Sequence, residues 1–109
     1  MSASPAAYIV LCTCPDRDSA ERLARDAVTQ KLAACVNIVA GLTSIYSWKG
    51  AIEKADEVLL LAKTTPGAWQ ALELAWRSQH PYELPEIIAV PVATGSEAYL
   101  RWISEAVAP

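Results

Sequence analysis

Apolar positions along the chain recur with two different periods, and these mark out its elements. Tyr8–Cys14 is continuously apolar or small and ends at Pro15, which predicts a strand buried on both faces. Asp18 and Glu21 then have the spacing of a capping box. Ala20, Leu23, Ala24, Ala27 and Val28 follow at helical spacing, with Glu21, Arg22, Arg25 and Asp26 opposite, the pattern of an amphipathic helix. Ala34–Val39 predicts a second strand, broken at Gly41 and resumed over Leu42–Trp48. Lys49-Gly50 marks a turn, and Glu57–Thr64 predicts a third strand, again buried on both faces. The second and third strands form a long hairpin, with a bulge or break expected near Gly50. Thr65-Pro66 opens a second helix with a hydroxyl cap and a proline at the first helical position, and Trp69, Leu72 and Trp76 line one face of it. Pro81 and Pro85 forbid its continuation. Ile87–Val92 predicts a fourth strand, placed at an edge by Pro91, which lacks an amide donor. Gly95-Ser96 starts a last helix with Tyr99, Trp102, Ile103 and Ala106 on one face.

The order β-α-β-β-α-β plus a terminal helix is the split βαβ arrangement of a ferredoxin-like α/β (α+β) sandwich. Residues 1–7 are a small, polar, proline-containing tail, expected to be flexible, and residues 8–109 form one domain. The chain has 109 residues, of which 53% are hydrophobic. A domain this short buries only part of its surface alone, so the apolar excess implies self-association. The net charge is −3, with no basic run, which argues against nucleic acid as a partner. No apolar stretch is long enough to span a membrane. Three cysteines, an odd number, fit a reducing, cytoplasmic setting better than a secreted disulfide scaffold.

Cys12 and Cys14 lie two apart on a predicted strand, so both side chains leave the same face. Thiolate with imidazole suits copper or zinc, although a free cysteine also serves as a small buried hydrophobe, the simpler role for Cys14. His80, the only histidine, could be a ligand or could cap the second helix, where imidazolium is favoured by the helix dipole. Cys35 has apolar flanks with no base to activate it, which indicates packing. Tyr46 and Trp48 share one face of the hairpin and need a partner surface. That surface is either a neighbouring subunit or a ligand cleft between subunits lined by Tyr46, Trp48, Lys63, Tyr82 and Glu86. Trp69, Trp76 and Trp102 have the spacing of core residues. Neither a Ser-His-Asp set nor a phosphate-cradling glycine loop is present, so no enzyme is expected.

Several long blocks carry a resemblance over nearly the whole chain. They are Leu32–Ile38, Gly41-Leu42-Thr43-Ser44-Ile45-Tyr46-Ser47-Trp48-Lys49-Gly50, Glu57–Thr65, His80-Pro81-Tyr82-Glu83-Leu84-Pro85-Glu86 with Ile87–Val92, and Tyr99–Ile103. Together they resemble the CutA family of divalent-cation tolerance proteins. The resemblance implies a compact trimer similar to the PII signalling proteins, binding copper or another divalent metal. It implies a metal ligand at Cys12 and a histidine pair at the positions of Gln79 and His80. Gln79 replaces one imidazole here, leaving Cys12 and His80 as the protein ligands. The expected function is thus that of a cytosolic copper-binding homotrimer in metal-ion tolerance, with metal ions and copies of itself as partners. The alternative is a PII-like small-molecule sensor with ligand sites at subunit clefts.

Overall fold

The computed structural model describes residues 5–109; most of the amino-terminal tail expected over residues 1–7 lies outside the described residues. The elements are β1 (Tyr8–Cys14), α1 (Arg17–Thr29), β2 (Cys35–Trp48), β3 (Ala51–Thr64), α2 (Trp69–Gln79), β4 (Ile87–Pro91) and α3 (Glu97–Ala106). Four strands form one sheet in the order β2-β3-β1-β4, with every neighbouring pair antiparallel. β3 therefore separates β1 from β2, as the split βαβ order requires.

α1 and α2 cover one face of the sheet. Leu23, Leu72 and Trp76 pack there against Val10, Cys12, Cys14, Leu60 and Ala62. The fully buried indole of Trp76 donates from Nε1 to the Leu23 carbonyl at 3.0 Å, tying α2 to α1. A smaller cluster of Ala7, Ala68, Ile103 and Val107 seats α3.

The expectation that β1 and β3 are buried on both faces is corrected by this two-layer arrangement. Val58, Leu60 and Ala62 lie beneath the helices, but Leu59, Leu61, Ile9 and Leu11 face the other side and are only half-buried. Val39, Ile88 and Val90 extend that uncovered face. Trp102 is also not core. It is exposed and lies against Tyr99 with ring centroids 5.4 Å apart, while Ile103 takes the buried position of α3.

The hairpin is longer and more continuous than its sequence suggests. Gly41 does not break β2, and the irregularity lies beside it rather than near Gly50. Pairing passes from Val39↔Leu59 to Leu42↔Glu57, so the one extra residue forms a bulge. Gly41 accommodates it at φ +84°, in the left-handed region. After the bulge Leu42, Ser44, Tyr46 and Trp48 lie on the face of Glu57. β3 starts at Ala51, six residues before the apolar run, because Ala51–Asp56 pairs with β2 while offering no buried face of its own. Lys49 and Gly50, at φ 50° and 81°, form the two-residue loop, the geometry suited to strand twist. α2 begins at Trp69, after a turn in which the Ala68 amide donates to Thr65, rather than directly at Pro66.

The cap of α1 is Asp16, not Asp18. Asp16 is extended at φ −153°, and its Oδ1 accepts from the Ser19 amide at 2.8 Å and the Ser19 hydroxyl at 2.7 Å. Glu21 pairs instead with Arg17, at 3.2 Å. The backbone bond from Ser19, then its hydroxyl, holds the Asp16 carboxyl below the usual carboxylate range. A depressed carboxyl contributes stability above its unfolded pKa, about 3.9, and loses it as pH falls through the folded value. Asp16→Ala is expected to lower the melting temperature at neutral pH, with the deficit shrinking below about pH 4. Calorimetric melting across the acid range checks this, and a deficit independent of pH would contradict the ionised cap.

Candidate metal centre and adjoining cleft

Strand alternation at the end of β1 assigns consecutive residues to opposite sides of the sheet. Cys12 and Cys14 enter the core beneath the helices, whereas Thr13 contributes to the uncovered side. β4 stops pairing at Ile87, opposite Cys12, so β1 continues past its neighbour. His80, the residue that ends α2, meets this overhang with its Nε2 2.8 Å from the Thr13 carbonyl oxygen. The Tyr82 amide donates to His80 Nδ1 at 3.1 Å. A carbonyl only accepts and an amide N–H only donates, so the proton resides on Nε2 and the ring is the neutral tautomer. The side chain does not cap α2 but clamps the following loop onto β1.

The same ring lies beside the thiols. Cys14 Sγ is 3.9 Å from His80 Nε2, and one donor atom from each of Cys12, Cys14 and His80 lies within 4.8 Å of the others. Both cysteines are fully buried, and His80 is 9% exposed. A hydrogen bond shared with Cys14, then burial, pushes the Cys12 thiol up. The same bond pulls Cys14 down, against the effect of burial. Two sulfurs and an imidazole form a donor set that fits a soft or borderline cation such as copper or zinc, not magnesium or calcium. Gln79 turns away, its amide donating to Asp26 Oδ2 at 3.0 Å and the Ala75 carbonyl at 3.1 Å.

On the uncovered side, Thr13 lies at the head of an open cleft of about 600 Å³ between the hairpin and the loop following His80. Tyr46, Trp48, Tyr82 and Glu86 line it within the single chain. Lys63 does not. It sits opposite Ile9 and Cys35 at the far end of β3, six residues, or about 20 Å of strand, from Glu57. Thr13, Ser44, Ile45, Glu57, Glu83 and Leu84 complete the lining, and sequence reasoning misses them. For Glu57 a signal exists: it is a carboxylate at the head of the most apolar run in the chain. It is 7% exposed, and its Oε2 accepts from the Tyr82 hydroxyl at 2.8 Å. Burial, then this bond, raises Tyr82 above the ordinary phenol range. Cys35 is half-buried at the start of β2, away from both sites.

The fold and donor set describe a small α+β sandwich with a thiol–imidazole cluster beside an acidic, aromatic cleft. The chain belongs to the CutA1 divalent ion tolerance protein family, whose pattern matches residues 8–106. It is 47% identical over 97 residues to the divalent-cation tolerance protein CutA of Thermus thermophilus, a match covering 89% of this chain and 94% of that protein. Over 103 residues it is 42% identical to the Escherichia coli protein of the same name, covering 94% and 92%. The solved structure of the Thermus thermophilus divalent cation tolerance protein has a TM-score of 0.92 at 45% identity, covering 94% of this chain and 99% of that one. The structure of the periplasmic divalent cation tolerance protein CutA of Archaeoglobus fulgidus has a TM-score of 0.90 at 34% identity, covering 94% and 99%. These names assign tolerance of divalent cations and no reaction. Among the described residues, no helix is long and apolar enough to cross a membrane.

The Tyr82–Glu57 bond is the contact that joins loop to hairpin. Tyr82→Phe leaves a nearly buried carboxylate short of a donor and is expected to lower unfolding stability by about 1–2 kcal/mol. Urea unfolding at neutral pH measures this, and an unchanged midpoint would mean that the bond does not hold the loop.

Proposed function

We propose that this family member is a cytosolic homotrimer that binds copper or a similar soft cation through Cys12, Cys14 and His80. The cluster of three donor atoms within 4.8 Å carries this reading. It includes the two ligands anticipated from the family resemblance and adds Cys14 in place of the second histidine. A bound soft cation would supply a reversible sink for excess metal. The chain's own contribution is to gather the donors, keep them out of water, and hold His80 between Thr13 and Tyr82. His80 would hold a cation at Nε2 only by giving up the proton it now donates to Thr13, which would link metal binding to this clamp.

Self-association is supported by the uncovered sheet face, where Val39, Ile88 and Val90 are exposed, and by the hairpin, where Ile45 and Ile52 are 71% and 75% exposed. Apolar area of this extent on one small chain fits an interface; three-fold symmetry follows the family resemblance. Free thiols at Cys12, Cys14 and Cys35 suit a reducing compartment. A second reading, a PII-like sensor of a small molecule, is favoured by the cleft of about 600 Å³, a size usual for ligand sites.

Copper titration of the reduced protein, with zinc as comparator, tests the metal site. Cys12→Ser, Cys14→Ser and His80→Ala are each expected to weaken binding about tenfold or more, and Gln79→Ala to leave it unchanged. Wild-type affinity in all three ligand variants would remove the cluster as the site. Light scattering is expected to give three times the 11.7 kDa chain mass, with Val39→Lys shifting the population to smaller species. A wild-type monomer at micromolar concentration would refute the assembly.

A further inference from the structure

We infer that the cluster of Cys12, Cys14 and His80 selects monovalent copper over divalent cations. This deepens the metal-centre reading above, by naming the ion that site takes, and rests on it. The donor set is the first argument. The family resemblance implies one thiol and two imidazoles, whereas this chain brings together two thiols and one imidazole. Gln79, at the position of the other imidazole, is held by Asp26 and the Ala75 carbonyl. Exchanging a nitrogen for a second sulfur makes the set softer, and soft thiolate ligands favour Cu(I). Zinc also accepts thiolate, so coordination number and charge decide between the two.

Cuprous ion is satisfied by two or three ligands, whereas zinc in a closed protein site is held by four. Among the described residues, no carboxylate, further thiol or second imidazole joins the three donors. The nearby oxygens have other partners: Asp16 caps α1 through Ser19, and the Thr13 carbonyl accepts from His80. Water is a poor substitute, because both cysteines are fully buried and His80 nearly so. Burial also weighs against higher charge, since the cost of taking an ion out of water rises with the square of its charge. Two sulfurs alone can hold cuprous ion while the His80 clamp stays intact. A divalent ion draws on the imidazole as well, at the expense of the proton given to Thr13, and still lacks a fourth protein donor.

Competition on the intact, reduced protein at neutral pH without oxygen tests the inference. Cuprous ion is supplied from a coloured chelator complex, with zinc and cobalt(II) as divalent rivals and cupric glycinate in a separate titration. Cuprous ion is expected to be retained against about a tenfold excess of either rival. X-ray absorption of the loaded protein should show two sulfurs and at most one nitrogen around copper. Cupric glycinate should raise no lasting thiolate-to-copper charge-transfer band. Cys14→Ser, which puts a hard oxygen in place of sulfur, should weaken cuprous binding about tenfold or more and zinc binding less. Cys14→Ala serves as the second variant should serine unfold the buried site. If zinc or cobalt displaces cuprous ion, if a stable cupric–thiolate band forms, or if Cys14→Ser weakens zinc and cuprous binding equally, the selectivity fails while the metal centre stands. If no ion binds, or cuprous ion binds Cys12→Ser, Cys14→Ser and His80→Ala as tightly as wild type, the centre itself fails and the selectivity with it.

Discussion

The hydrogen bond between His80 Nε2 and the Thr13 carbonyl is the constraint on which both candidate sites depend. β1 outruns β4, and an unpaired carbonyl at a sheet edge needs a donor. The imidazole supplies it and accepts the Tyr82 amide on its other nitrogen. The ring is thereby fixed beside Cys14, and the chain beyond it is set across the mouth of the hairpin. Tyr82 then reaches Glu57, and Glu83 and Glu86 complete one wall of the cleft. Without this clamp, a loop containing Pro81 and Pro85 would have no regular backbone pairing to define its path.

The features legible in the sequence are those dictated by local periodicity or by special backbone needs. Alternation puts Cys12 and Cys14 on one face, Pro91 puts β4 at an edge, and Lys49-Gly50 marks the hairpin turn. The misreadings have specific physical causes. Asp16 and Asp18 are equally good capping residues, and only the extended backbone at Asp16 separates them. Continuous apolar runs in β1 and β3 suggest cover on both faces, yet the second face is left uncovered in the single chain. Lys63 and Tyr46 share a sheet face but lie at opposite ends of the hairpin, a separation that strand length alone decides. Cys14 reads as packing because nothing local distinguishes a buried thiol that meets His80 from one that meets only carbon. Glu57 acquires its role from Tyr82, twenty-five residues away, a distance that periodicity does not reach.

The sheet keeps the two sites apart while leaving them adjacent. The soft donors lie among helix side chains, and the carboxylates and aromatic rings lie on the other side, where water has access. A soft donor set and an acidic, aromatic cleft thus adjoin within one short stretch of β1. Thr13 is shared, with its carbonyl bonded to the imidazole and its side chain in the cleft lining.

The bulge beside Gly41 uncouples residue number from sheet face. Up to Val39, odd-numbered residues of β2 face the uncovered side; from Leu42 onward, even-numbered ones do. The extra residue is absorbed between two β3 partners, so the outer hairpin keeps its pairing with Ala51–Glu57 whether or not that residue is there. Its loss would leave Tyr46 and Trp48 on the same face and would instead remove the added bend and twist that a bulge introduces. The outer arm would then leave the sheet at a different angle, and the aromatic wall would stand at a different distance from Tyr82. Of the core beneath α1 and α2, the residue opposite the bulge is Val58, at the margin of the cluster, so the change would be felt there first. Backbone length at this one point therefore bears on the width of the cleft independently of the side chains that line it.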